Sequence, residues 1–201
     1  TSYFYHCARL MARYARALDR ADDAARFDAL AERLQRAFQR RFLAPERDHY
    51  DNGSQTSSVL PLAFGLAPEA DRPAIFRHLE RKIVEETREH VGTGLIGGQW
   101  LMRTLTRNGR VDLAYKLATQ KTYPSWGYMI EKDATTIWEL WNGDTADPAM
   151  NSHNHVMLVG DLVIWMYEHL AGIAGDPDRP GFKHVLMRPE MPGDLAWVRA
   201  V

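Results

Sequence analysis

Apolar residues recur at spacings of three and four along residues 2–19 and 22–42, with Arg and Asp at the opposite positions. This period is typical of amphipathic helices that bury one face. The polar stretch Asp19–Asp23 lies between the two runs and predicts a turn. We therefore expect residues 2–42 to form a helical hairpin.

The helical period returns several times before residue 170, separated by polar breaks. Pro45 and the turn sequence Asp51-Asn52-Gly53 predict a loop at 44–54. Further helices are predicted at Ser57–Phe64, from 69 to near Glu89, and at Ile96–Arg107, Val111–Thr119 and His155–Leu170. Helix, loop and helix recur roughly every 45 to 50 residues, which suits a ring of antiparallel hairpins. The longer loops of such a ring gather at one mouth, where a site can form.

Two segments depart from this pattern. Prolines, glycines and clustered aromatic residues between 121 and 154 predict an ordered but irregular backbone. After the Pro/Asp/Gly stretch 176–181, the pattern changes toward strands at Phe182–Met187 and Ala196–Val201. We therefore predict a helical domain over residues 1–175 and the first strands of a β domain over residues 181–201.

Composition excludes several classes of partner. The 25 basic and 26 acidic residues give a net charge of −1, so nucleic acid and anionic membrane surfaces are not expected partners. The single cysteine, Cys7, excludes an internal disulfide. Neither end of the sequence shows the polar fraying of a natural terminus. We therefore expect these residues to work with the remainder of a longer polypeptide.

The candidate chemistry lies in the irregular segment, where Glu139 stands between Trp138 and Trp141. A carboxylate enclosed by indole rings is poorly solvated, which suits proton transfer near neutral pH. The same rings could stack on a sugar. The residues themselves leave open a second interpretation, in which Glu139 is a capping or ion-paired glutamate beside core tryptophans.

The histidines nearby do not form a recognisable metal site. His153 and His155 lie two residues apart, but the sequence shows neither a third ligand nor the residues that would orient them. By itself His155 is equally a polar residue at a helix start. The sequence contains no HExxH, phosphate-binding or dinucleotide-binding motif. We therefore predict neither a metal nor an organic cofactor.

Five short motifs, in order and at consistent spacing, carry a resemblance to a known family. They are Gly92–Gly97, Asp112–Tyr115, Tyr123–Trp126, Ala134–Glu139 and Asn154-His155. Together they resemble the bacterial α-L-rhamnosidases, the inverting glycoside hydrolases of family 78. The fold that this resemblance implies is mainly α: about the C-terminal half of an (α/α)6 barrel, followed by the first strands of a C-terminal β-sandwich.

The resemblance also implies roles for particular residues. The glutamate of the Thr-Thr-Ile-Trp-Glu motif, here Glu139, would be the general base that activates water. His155 of the Asn-His motif would contact bound rhamnose. The other residues that the resemblance puts at the sugar pocket are Trp126, Trp138, Trp141 and Asn154. The family's general acid has no matching motif here and is expected before Thr1.

Two alternatives to a rhamnosidase stay open at the level of sequence. One is another inverting (α/α)6 hydrolase or a phosphorylase, which would attack with phosphate and need cationic ligands for it. Lys132 is the only cation between Thr122 and Asp147, which favours water as the nucleophile. The other alternative is a non-catalytic sugar-binding or scaffold piece.

Overall fold

Helices dominate the computed structural model of the chain. The structure describes the backbone of residues 1–155 and 157–201 and the side chains of 1–155 and 161–201. The chain divides into two compact units, Thr1–Lys82 and Ile83–Val201. No helix among the described residues combines the length and the apolar character that crossing a membrane requires.

The first unit contains four α-helices and begins with the predicted hairpin. They are α1 (Ser2–Ala17), α2 (Ala21–Phe42), α3 (Gln55–Ala63) and α4 (Arg72–Arg81). The buried stripe of α1 is made mainly of small side chains, Ala8, Ala12 and Ala15, at helical spacing. Because small residues let two helix backbones approach closely, α1 packs along α2.

Tyr50 anchors the polar loop between α2 and α3. Its ring is fully buried and packs 5.0 Å from the ring of Phe38, and its backbone forms an isolated bridge with Leu43. This burial raises the pKa of Tyr50 to about 12. The loop ends at Ser54, whose side chain accepts a hydrogen bond from the Ser57 amide and caps α3.

Helices and one short hairpin make up the second unit. A π-helical turn at Lys82–Glu86 follows α4, and α5 (Leu95–Arg107) and α6 (Val111–Ala118) come next. The remaining helices are α7 (Trp126–Glu131) and α8 (Met157–Trp165), and a π-helical turn, Met166–Leu170, extends α8. Antiparallel strands β1 (Ile173–Gly175) and β2 (Val185–Met187) then pair, with Ile173 opposite Met187.

Helices α5 and α8 form the core of the second unit. Trp165 is fully buried, and its indole N–H donates a 2.8 Å hydrogen bond to the Thr106 hydroxyl. Beside it, Arg103 pairs with Asp161 at 2.8 Å, and both side chains are buried. Removal from water outweighs the attraction of Arg103 and raises the pKa of Asp161 to about 6.

The helix predictions are confirmed, whereas the strand predictions hold only in part. Of the helix predicted at His155–Leu170, residues Met157–Leu170 are helical and His155 is not, whereas Val156 lies outside the described residues. Only Val185–Met187 of the predicted strand 182–187 is a strand. Residues 196–201 form none, because a strand needs a hydrogen-bonded neighbour and the described residues offer them none. The barrel, the sandwich and the domain division after residue 175 stay predictions.

Candidate active site

Backbone pairing between two short non-helical segments brings Glu139 and His155 together, although sixteen positions separate them. The Glu139 amide donates to the Ser152 carbonyl at 2.8 Å, and the His155 amide donates to the Ile137 carbonyl at 2.7 Å. Residues 137–139 therefore run antiparallel to residues 152–155. This pairing places Oε2 of Glu139 4.0 Å from Nδ1 of His155.

The Glu139 carboxylate is held on one side and open to water on the other. Its Oε2 accepts a 3.1 Å hydrogen bond from the Ser152 amide, and the side chain is 43% exposed. The sequence-based expectation of a poorly solvated carboxylate is therefore wrong, because Trp138 turns into the core instead of enclosing it.

Side chains close the loop between the two paired segments. The Leu140 amide donates to Oδ1 of Asn151 at 3.1 Å, and the Thr136 hydroxyl donates to the His153 carbonyl. Nε2 of His153 lies 3.1 Å from the Gly143 carbonyl. A β-carbon at Gly143 would come within 2.7 Å of the Trp138 indole, so this close packing requires glycine.

Glu139 and His155 line one cavity of about 530 Å³. This volume falls within the range of about 300–1,000 Å³ usual for small-molecule sites. One wall is the backbone-rich segment Val91–Leu95, which leads into α5, and Tyr123 lies at another side. The remaining lining residues are Leu140, Trp141 and Asn142, which follow Glu139 directly.

The structure separates the predicted sugar-pocket residues into two groups. Trp141 lines the cavity with Glu139 and His155, and its ring meets that of Trp126 edge-on at 5.2 Å. Trp126 and Trp138 are buried and do not line this cavity. Asn154 is exposed and also lies outside the lining, and its backbone amide donates to the Ser152 hydroxyl. Contact of these last three residues with substrate stays a prediction.

Sequence reasoning assigned no role to three elements of the site: the wall Val91–Leu95, Tyr123 and Asn151. The wall and Tyr123 belong to motifs that carry the family resemblance, so a signal for them was present. Asn151 directly precedes Ser152, but a lone asparagine in a loop is also an ordinary turn residue. Its side-chain bond to the segment that carries Glu139 depends on tertiary pairing that no local pattern encodes.

One cluster of the described residues could hold a metal ion, and it belongs to the first unit. Asp48, His49 and His78 place their ligand atoms within 4.8 Å of one another. Hydrogen bonds already engage these groups: Nδ1 of His49 contacts Asp48 at 2.7 Å, and Nε2 of His78 contacts the Gly53 carbonyl at 3.1 Å. Arg81 lies 3.1 Å from Nδ1 of His78. A cation bound here would therefore displace an existing hydrogen-bond network beside a guanidinium.

Comparisons with known proteins agree on one family. A family model described as the bacterial alpha-L-rhamnosidase 6 hairpin glycosidase domain matches residues 1–170. A curated alpha-L-rhamnosidase of Streptomyces avermitilis is 39% identical over 205 residues, covering 100% of this chain and 19% of that protein. The chain thus spans about a fifth of the length of the curated relatives it matches.

Solved structures show the same likeness in three dimensions. The alpha-L-rhamnosidase from Dictyoglumus thermophilum superposes with a TM-score of 0.90 at 35% identity, covering 96% of this chain and 21% of that one. The Streptomyces avermitilis alpha-L-rhamnosidase complexed with L-rhamnose superposes with a TM-score of 0.89 at 38% identity. That match covers 96% of this chain and 19% of the other.

Proposed function

The chain belongs to the bacterial alpha-L-rhamnosidase 6 hairpin glycosidase family, and on this basis we propose that it takes part in hydrolysing terminal α-L-rhamnose from rhamnosides with inversion. The observation that carries the proposal is the solvated Glu139 carboxylate in one open cavity with His155 and Trp141. Of the residues that the family resemblance puts at the site, these are the ones suited to activating water and holding a sugar.

Inversion needs two carboxyl groups roughly 6.5–9.5 Å apart, so that a water molecule fits between one of them and the anomeric carbon. Glu139 is the general base: it takes a proton from that water while the water oxygen attacks the anomeric carbon. The glycosidic oxygen leaves from the opposite face and takes a proton from the general acid. In this mechanism the general acid lies in sequence outside these 201 residues, as the family resemblance implies.

The neighbouring side chains bind and orient the sugar. His155 lies 4.0 Å from the base and can exchange hydrogen bonds with ring hydroxyls while it remains beside the carboxylate. Trp141 presents an apolar ring to the same cavity, which suits the methyl group of a 6-deoxy sugar. Binding and proton transfer are thus assigned to different residues.

The cavity favours water over phosphate as the nucleophile. Among its described lining residues there is neither lysine nor arginine to pair with a phosphate dianion. Lys132 is the lysine or arginine nearest in sequence to Glu139. Its Nζ lies 3.9 Å from Oδ2 of Asp144 and over the Tyr128 ring. A phosphorylase is therefore the less favoured alternative.

Proton NMR of rhamnose released from an aryl α-L-rhamnoside by the complete encoded protein tests the proposal. Inversion predicts that the β-anomer appears first and then mutarotates, with a rate that does not depend on added phosphate. Initial release of the α-anomer contradicts the assigned mechanism. Release of rhamnose 1-phosphate favours the phosphorylase, and absence of any cleavage contradicts the rhamnosidase assignment.

A further inference from the structure

The loop between the paired segments, residues 140–150, begins at the peptide group that directly follows Glu139. Glu139 is joined to Ser152 twice, through its own amide and through Oε2. The next peptide group along the chain, the Leu140 amide, has a single partner, Oδ1 of Asn151, at 3.1 Å. The orientation of the peptide that follows Glu139 therefore depends on one side chain.

The Asn151 side chain is oriented by its contact with the Leu140 amide. A backbone N–H must face an acceptor, so the Leu140 contact fixes which atom of the amide is the oxygen. The amide nitrogen Nδ2 is buried and donates to none of the described residues. Burial of an unsatisfied donor costs about 1–3 kcal/mol. Asn151 therefore carries an energetic cost at this position, which an apolar residue would avoid.

We propose that Asn151 is a positioning residue for the general base: its side chain locks the Glu139–Leu140 peptide so that the carboxylate points at the attacking water. The proposal rests on the proposed function of Glu139. With Ser152 fixing Oε2 and Asn151 fixing the following peptide, Glu139 is constrained on both sides. Without Asn151, the Leu140 amide has no partner among the described residues, so the Glu139–Leu140 peptide is free to rotate.

The geometry of attack is sensitive to such a rotation, because misplacing a reacting group by about 1 Å can cost on the order of 100-fold in rate. The loss should fall on kcat more than on KM. Asn151 does not line the cavity, the His155 amide keeps its own bond to the Ile137 carbonyl, and the Trp141 ring keeps its contact with Trp126. A merely structural role would instead lower the thermal stability and the fraction of active molecules.

Two substitutions in the complete encoded protein separate these roles. Asn151→Ala removes the acceptor and should lower kcat about 10–100-fold, with KM changed less than about threefold. Asn151→Asp keeps an acceptor for the Leu140 amide, so most of kcat should return at alkaline pH. The new negative charge disfavours the ionised base, so the acidic limb of the kcat/KM profile should move up by roughly half a pH unit.

Asn108→Ala is a matched control in the same unit. The Asn108 side chain donates one hydrogen bond to the Thr104 carbonyl at the end of α5, away from the cavity lining. Its loss should lower the melting temperature without changing kcat per folded molecule. If Asn151→Ala behaves like Asn108→Ala, with kcat within about twofold of wild type, the positioning role is overturned.

The Asp variant keeps the test decisive if Asn151→Ala does not fold. An upward shift of its acidic limb with kcat largely retained supports the proposal, and an unshifted limb overturns it. Absence of rhamnoside hydrolysis by the wild-type protein is a separate result. An inactive wild type contradicts the function proposed for Glu139. An active wild type together with an unaffected Asn151 variant contradicts only the positioning role of Asn151.

Discussion

Glu139 has two carboxylate oxygens, and the structure gives them different surroundings. Oε2 accepts the Ser152 amide and faces His155, whereas Oε1 accepts no hydrogen bond from any residue that the structure describes. A proton taken from water is therefore expected on Oε1. The Ser152 amide that holds Oε2 leaves Oε1 free, which is the arrangement that the proposed general base needs.

Glu139→Gln is the direct test of the base at the residue scale. The amide keeps the shape of the side chain but cannot accept a proton from water. In the complete encoded protein, kcat should fall by about 10²–10⁴-fold or more with a modest change in KM. The defect should persist on activated aryl rhamnosides, because the base does not touch the leaving group.

Thermal stability measured on the same Glu139→Gln preparation provides the control. If Glu139 is only a structural residue, the melting temperature should drop while turnover per folded molecule stays near normal. A folded variant that keeps more than about a tenth of the wild-type kcat would not fit a general base.

His155→Ala should give the opposite kinetic pattern. His155 lines the cavity with its side chain 22% exposed, and its assigned role is to hold the sugar in the ground state. Loss of one such hydrogen bond, worth about 1–2 kcal/mol, should raise KM about 5–30-fold with a smaller fall in kcat. Steady-state kinetics on one aryl rhamnoside decide this, and an unchanged KM would contradict the role.

Local sequence predicted the types of residue at the site but not their directions. The motif identified Glu139 and His155, and the structure brings them to one cavity. The motif alone could not tell which tryptophan faces that cavity. Trp138 turns away because Gly143 leaves room for its indole in the core, and this contact between positions five apart depends on the fold of the loop. The solvation of Glu139 follows from the same turn.

At the scale of elements, α5 and α8 are joined by a buried ion pair whose charge state depends on pH. Asp161 is surrounded by Arg103, Arg107 and Glu168, and burial raises its pKa to about 6 against an ordinary value of 3.8. Between about pH 4 and pH 6 the folded state therefore holds a proton that the unfolded state has lost. The free energy of unfolding contributed by this group falls as the pH rises through that interval.

Asp161→Asn should remove this contribution. The difference in unfolding free energy between wild type and variant should change by on the order of 1–3 kcal/mol from pH 4 to pH 6.5, with the wild type losing stability relative to the variant. Denaturant unfolding at several pH values measures this difference. Parallel pH profiles for the two proteins would contradict it.

The helices were predictable because each is amphipathic or bounded by turn residues, so the local period identifies it. The strands were predictable only in part, because β2 lies within the predicted strand 182–187 whereas β1 was not predicted. β1 lies in the stretch Ile173–Gly175, which is too short to show alternation and was assigned to the helical part of the chain. Its strand character comes from pairing with β2 across the 176–181 turn. Residues 196–201 have the composition of a strand, but composition alone does not supply a neighbour.

For the whole molecule, the recurring hairpins predicted a ring, and the family assignment agrees with a helical glycosidase domain. A helical period shows which face of a helix is buried but not which helix buries it. The (α/α)6 closure depends on those pairings, so it stays a prediction. The general acid likewise stays a prediction: it is expected in sequence outside these residues, because the relatives are about five times as long as this chain.

The exposed face of α1 is relevant at this scale. It carries the large apolar side chains Phe4, Met11 and Tyr14, which are between 43% and 57% exposed, and Leu18 at the C-cap is 70% exposed. Contiguous apolar surface of this kind is unusual on a soluble monomer and promotes association. In the relatives, the additional sequence is available to cover such a face.

We therefore expect the 201-residue chain, prepared alone, to show no turnover of an aryl rhamnoside and to self-associate. In the proposed mechanism this chain supplies the base, Glu139, and other sequence supplies the acid. One carboxylate cannot both activate water and protonate the leaving oxygen in a single inverting step. A rhamnosidase assay combined with light scattering after size exclusion measures both properties. Robust hydrolysis by a monodisperse 23.0 kDa species would contradict the division of the site between this chain and other sequence.

Addition of the complementary part of the protein should restore activity only if it brings the acid within about 6.5–9.5 Å of Glu139. A complement with that acid changed to its amide is the matched negative control.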